Sequence, residues 1–240
     1  MPRIVINILL IIVLIGLVCC GIAIYRSTTA DARMDKEIDI IAQQKDLIAQ
    51  ANDERAPIMD FASKKAENSD IAAWLTIPGT VIDYPIMHTS NNDFYLNRDA
   101  KKQRNKNGAL FLDFRVHPDF SDFNSIIYGH HMASGRMFQN LIKFKNKSFF
   151  DSHTTATLYT PQATYKLEIF ASAVIPQNSD CYNYAFMSLA DKEKHINMIK
   201  EAAFFYRDIG VSPQDRIVTL STCSYEFSNA RTVVIARIVP

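Results

Sequence analysis

Arg216-Ile217-Val218-Thr219-Leu220-Ser221-Thr222-Cys223 is followed by Ser224-Tyr225-Glu226 and then, after a short gap, by Ala230-Arg231-Thr232-Val233-Val234-Ile235-Ala236. The first run is apolar and β-branched and ends at a thiol beside polar residues. The second opens on an arginine. Two such runs read as neighbouring β-strands. Arg231 lies eight residues after Cys223. A connection of that length is hairpin-like and sets Arg231 on the strand beside the cysteine.

Working outward, runs of the same texture occur at Trp74–Ile77, Val81–Ile86, Gly108–Phe114, Ser125–Tyr128, Thr155–Thr160 and Thr164–Ile175. With Arg216–Ser221 and Thr232–Val239 they make eight short strands. Turn residues such as Pro78-Gly79 and Thr160-Pro161-Gln162 separate them. Many short strands and few long helices predict a mainly β chain closed as a barrel. One insertion breaks the series. Ser188 to Arg207 carries Ile196, Ile199, Ala203 and Tyr206 at helical spacing, behind Asp191-Lys192-Glu193-Lys194. It predicts a long helix inserted before the Cys-bearing strand.

Upstream the texture differs. Residues 4–24 hold no charged side chain and one polar one, Asn7. Twenty-one residues at helical rise span roughly 31 Å, the thickness of a bilayer core. Residues 1–25 are therefore read as a membrane anchor rather than a cleaved signal, although Ala30-Asp31-Ala32 has the form of a cleavage site. Leu17-Val18-Cys19-Cys20 lacks the small residue that a lipoprotein box needs before its cysteine. Arg3 precedes the span, whereas Arg26 and Arg33 are offset by Asp31 and Asp35. That pattern points to a single pass with the N-terminus inside and the bulk of the chain outside. Residues 26–68 form a polar helical segment, with Met34, Ile38, Ile41 and Ile48 on one stripe and a break at Pro57. Residues 69–240 make up the β-rich domain.

Composition removes several functions. The 26 Lys+Arg against 25 Asp+Glu give a charge of +1, which argues against a nucleic-acid partner. Only 7 glycines occur, and Gly16 to Gly21 is not followed by Lys-Ser/Thr, so no phosphate-cradling loop is present. Of four cysteines, Cys19 and Cys20 fall in the apolar stretch, and two do not make a disulfide scaffold. No metal-binding motif appears, so no metal is expected.

Three residues carry candidate chemistry. A structural cysteine more often sits inside an apolar run, whereas Cys223 ends one, where solvent reaches it. A nucleophilic thiol needs a proton-transfer partner with a pKa near neutrality. Ile126-Ile127-Tyr128-Gly129-His130-His131 supplies two histidines at another strand end. Adjacent residues on an extended segment face opposite ways, so only one of them faces Cys223. Arg231 is permanently charged and offers several donors for an oxyanion. Taken singly, a surface histidine and a strand-edge arginine stay open as bland readings.

Together, Thr219-Leu220-Ser221-Thr222-Cys223, Tyr128-Gly129-His130-His131 and Ala230-Arg231-Thr232-Val233-Val234 resemble the Cys, His and Arg motifs of sortases. Trp74-Leu75-Thr76-Ile77-Pro78-Gly79-Thr80-Val81-Ile82-Asp83-Tyr84-Pro85 is similar to the sortase entry strands. The N-terminal helices and the inserted helix resemble class B members. The resemblance implies an eight-stranded β-barrel and a membrane-anchored cysteine transpeptidase on the face of a Gram-positive cell. It implies Cys223, His130 and Arg231 as catalytic residues, with no metal or organic cofactor. Its partners would be a secreted protein bearing a C-terminal sorting pentapeptide and an amine of the peptidoglycan precursor. Ser221, Thr222, Asn92, Leu96 and Tyr182 would line the peptide groove, with Tyr184 the alternative to Tyr182. A hydrolytic cysteine peptidase would use the same Cys and His, and a non-catalytic surface β-domain would need neither. An L,D-transpeptidase would carry His-Gly-Cys, which is absent.

Overall fold

A computed structural model describes residues 59–239. Nine strands follow one another: β1 (Ile71–Thr76), β2 (Asp83–Met87), β3 (Leu110–Leu112), β4 (Asn124–Tyr128), β5 (Thr155–Tyr159), β6 (Thr164–Pro176), β7 (Phe205–Tyr206), β8 (Arg216–Cys223) and β9 (Ala230–Val239). They hydrogen-bond in the order β5-β1-β2-β3-β4-β8-β9-β6-β7, and β5 also pairs with β6. The additional pairing closes eight strands into a barrel, as the sequence predicts. β7, two residues long, is an appendage on β6. The 13 residues of β6 serve two neighbours along one edge: Thr164–Glu168 pair with β5, and Ala171 and Ser172 pair with β7. A register shift between Ile169 and Ala171 falls between the two segments.

Burial explains the texture of the strands. In β8 every residue from Ile217 to Thr222 is buried, as is every residue from Thr232 to Ala236 in β9. Strands covered on both faces read as continuous apolar runs, whereas β5 alternates buried and half-buried residues. The cover on one face comes from a helix. α1 (Phe61–Glu67) and α2 (Lys147–Ser152) are short, and α3 (Leu189–Ala202) is the inserted one. Ser188 caps α3 by accepting a bond from the Asp191 N–H at 3.1 Å. Ile196 and Ile199 pack on Phe170, Ala173, Ile217, Val233 and Ile235. Burying each stabilises by roughly 1.5–3 kcal/mol.

The inserted helix ends at Ala202, five residues short of the predicted Arg207. Phe204 N–H donates to Ser172 O and Arg207 N–H to Phe170 O. The unpaired edge of β6 thus captures the last apolar residues as β7. Tyr206 still packs on the same cluster, but from a strand.

The localisation read from the sequence is corrected. Among the described residues no helix is long and apolar enough to cross a membrane. The longest, α3, has 14 residues and is rich in charge, where about 20 apolar ones are needed. Residues 4–24, on which the single-pass reading rested, and the stripe Met34, Ile38, Ile41 and Ile48 lie outside the described residues. No described element supports an anchored, extracellular placement.

Candidate active site

Topology brings three strand ends together. β4 and β8 are parallel, with Tyr128 opposite Ser221 as their last pair, so the segments after both strands leave on the same side. β8 and β9 are antiparallel, with Cys223 opposite Arg231. Ser224 N–H donates to Ala230 O at 3.0 Å. That bond makes Cys223–Arg231 a non-hydrogen-bonded pair, the kind whose side chains lie closer together.

A groove of about 850 Å³ opens over this junction. Cys223, His130 and Arg231 line it, and so do Ser221, Thr222, Tyr182, Asn92 and Leu96. Every site residue expected from the sequence therefore meets in one place. Tyr184, the alternative to Tyr182, lines it too. Cys223, His130 and Arg231 are each half-buried.

The hydrogen bonds define what each group can do. His130 Nε2 is 2.8 Å from Leu96 O. A carbonyl oxygen only accepts, so Nε2 carries the hydrogen, and Nδ1 is left to exchange a proton. Gly108 lets the 94–96 turn come this close: its φ is +61°, and a Cβ there would sit 2.6 Å from Tyr95 O, 2.9 Å from Leu96 O and 3.0 Å from His130 Cδ2. Arg231 Nη2 donates to Gln177 Oε1 at 3.2 Å, and Nη1 donates to Ala230 O at 3.0 Å. Tyr182 Oη and Ser221 Oγ are 2.8 Å apart. Burial pushes the Tyr182 phenol up, so it stays protonated. Thr222 Oγ1 donates to Gly129 O at 2.8 Å, and Asn92 Oδ1 accepts from Phe114 N–H at 3.0 Å. Asn92 and Thr222 thus hold the groove wall as well as facing it.

The two histidines do face opposite ways. His130 lines the groove; His131 does not, and its Nδ1 lies 3.0 Å from Cys223 O while its ring packs on Tyr225.

Sequence reasoning missed an ion pair in the wall, formed between a buried carboxylate and an exposed arginine. Asp113 is fully buried, and Arg115 clasps it through Nε and Nη2 at 2.9 and 2.7 Å. Tyr128 Oη donates to the same carboxylate at 3.0 Å. Burial alone would raise the Asp113 carboxyl, but these bonds outweigh it and hold it below the usual carboxylate range. Arg115 and Tyr128 both line the groove. The available signal was an aspartate just past an apolar run: in a turn its side chain accepts from the backbone N–H two residues on, here Arg115 at 3.0 Å, which brings the two charges together. Gln177 gave none.

These features coincide with a known family. Residues 75–239 match the family model of the sortase domain, and the chain belongs to the sortase family, whose members are transpeptidases. The chain is 37% identical over 176 residues to sortase B of Listeria monocytogenes serovar 1/2a (strain ATCC BAA-679 / EGD-e), covering 72% of this chain and 71% of that one. The solved structure of Clostridium perfringens sortase B superposes with a TM-score of 0.72 at 33% identity, covering 75% of this chain and 100% of that one. The Staphylococcus aureus sortase B–substrate complex gives a TM-score of 0.81 at 27% identity, covering 88% and 98%. The enzyme is a sortase of class B.

Proposed function

We propose that this sortase cleaves a peptide sorting signal through a Cys223 thioester and passes the acyl group to an amine. The observation that carries the reading is the junction itself: Cys223 opposite Arg231 in register, with His130 on the same groove. Residues 69–240 are taken as the catalytic domain.

Cys223, as thiolate, attacks the carbonyl carbon of the scissile bond, and its electron pair forms the C–S bond. Negative charge collects on the carbonyl oxygen, where the Arg231 guanidinium stabilises it. Collapse of the tetrahedral intermediate breaks the C–N bond, and His130 Nδ1–H protonates the leaving amine. An incoming amine then attacks the thioester and gives its proton to the neutral Nδ1. The thiolate and imidazolium are thereby restored. Leu96 O holds the ring through Nε2, as the carboxylate of a hydrolase triad holds its histidine. Ser221, Thr222, Asn92, Leu96 and Tyr182 contact the peptide. The substrate is a secreted protein with a C-terminal sorting pentapeptide, and the acceptor is an amine of the peptidoglycan precursor. A sortase B structure complexed with triglycine, 26% identical to this chain, favours an acceptor of that glycine-bearing kind.

Mass spectrometry of the chain with a pentapeptide library and triglycine tests this. The expected products are an acyl adduct on Cys223 and a peptide extended by triglycine. Adduct formation followed by hydrolysis alone, at saturating triglycine, would assign a cysteine peptidase instead.

A further inference from the structure

The parallel pairing of β4 with β8 does not end cleanly. Past Tyr128, Gly129 N–H still donates to Ser221 O at 3.1 Å. The next two rungs of a parallel ladder would be Cys223 N–H to Gly129 O and His131 N–H to Cys223 O. Neither backbone bond is made. Side chains take both places. Gly129 O accepts from Thr222 Oγ1 at 2.8 Å, and Cys223 O meets the His131 ring nitrogen Nδ1 at 3.0 Å.

The chain parts from β8 here because it turns into a tight loop. His131 bridges Met137, and Phe138 N–H donates to His130 O at 3.0 Å. Met137 is held at φ +55°, a left-handed conformation that costs energy for a non-glycine residue, with its N–H on Tyr84 Oη at 3.3 Å. The result is a wedge between the His130 and Cys223 segments. Two side-chain hydrogen bonds span it, Thr222 to Gly129 O and His131 to Cys223 O.

We propose that His131 is the positioning residue of this wedge: its Nδ1–H, donated to Cys223 O, stands in for a ladder rung and fixes His130 relative to the nucleophile. Back-to-back histidines then divide the work, one facing the reacting atoms and one fastening that segment to the backbone of Cys223. A carbonyl can only accept, so the neutral His131 ring carries its hydrogen on Nδ1. Misplacing a proton-transfer group lowers the rate of the chemical step more than substrate affinity. The inference rests on Cys223 and His130 acting together.

The test uses the full chain and one quenched-fluorescence pentapeptide that the wild-type protein cleaves. His131→Phe keeps a ring against Tyr225 and loses the donor. His131→Asn puts an amide N–H where Nδ1 was. The phenylalanine variant is expected to lose about tenfold in kcat with KM within about twofold, and the asparagine variant to recover most of it. A phenylalanine variant with wild-type kcat, or an asparagine variant equally impaired, overturns the proposal. A second readout needs no variant to fold. In a 15N–1H correlation spectrum of the wild-type imidazoles, His131 should be the Nδ1–H tautomer at pH 8, and the Nε2–H tautomer overturns it. Cys223→Ala separates the two levels. If that variant still turns over, the reading of the site fails, and the tautomer decides the rung on its own.

Discussion

Two regions of this molecule each hold one cysteine and one histidine, and only one of the two pairs lines the groove. The groove has Cys223 and His130 at strand ends, half-buried, with Arg231 alongside. The layer between α3 and the barrel has Cys181 and His195, 2% and 5% exposed. Burial pushes the Cys181 thiol up to about 12. Burial also pulls His195 down to about 4, against a small opposing effect of Asp180. Phe123 and Phe186 pack edge-on against its ring. Apolar enclosure thus holds both groups neutral, the state in which neither attacks nor carries a proton. Environment, rather than residue type, sets the groove pair apart from the packed one.

The largest effect expected from this contrast is on turnover. Cys223→Ala should abolish it, by at least about 10⁴-fold, with the thermal midpoint unchanged, because a methyl group forms no thioester. Cys181→Ala should keep turnover and lower the midpoint instead. Loss of activity in the second variant, at unchanged stability, would break the comparison. Both thiols are free, so unfolding without reductant should expose both to a thiol reagent.

Within the groove, His130→Ala should cost about 10²–10⁴-fold in kcat, the usual range for a lost acid–base group. His131→Ala should cost about tenfold. Equal losses in steady-state kinetics would remove the distinction drawn between the neighbours. A smaller effect is expected at Gly108. Gly108→Ala drives a Cβ into Tyr95 O, Leu96 O and the His130 ring, so it should cut kcat several-fold and lower stability by roughly 1–3 kcal/mol.

An effect on stability alone, with none expected on turnover, sharpens the other side. His195 has a folded pKa near 4 against an ordinary 6.5. Its contribution to stability is complete above 6.5 and lost as pH falls toward 4, by up to about 3 kcal/mol. Urea unfolding of His195→Leu should show a flatter acid limb than the wild type over that window. Identical slopes would mean that the ring is protonated in place.

Much of this was legible in the sequence, for identifiable reasons. Eight barrel strands announced themselves because each is a run of apolar, β-branched or aromatic residues, and turn residues separate most of them. The 3-10 helix Phe138–Lys145 and α2 went unread, since neither repeats a 3.6-residue stripe over enough length. β7 was absorbed into the helix because Ala203 and Tyr206 fit the spacing of α3 as well as a strand. At the site, the lining residues were readable from type and order. Their bonds were not: Thr222 to Gly129, Arg231 to Gln177 and His130 to Leu96 join residues 93, 54 and 34 apart. Only the barrel's closure tells which of them meet.

The parallel pairing of β4 with β8 also bears on how the chain acquires activity. The antiparallel neighbours β1–β2, β5–β6 and β8–β9 close over short loops and can form early. Joining His130 to Cys223 closes a loop of some ninety residues, as the 92-residue separation of the His131–Cys223 contact shows. Loop-closure entropy makes that step slow and late. A partly folded chain therefore holds its thiol on a formed strand, with neither histidine yet beside it. On that order, the gain of turnover during refolding is expected to report completion of the barrel rather than the onset of β structure.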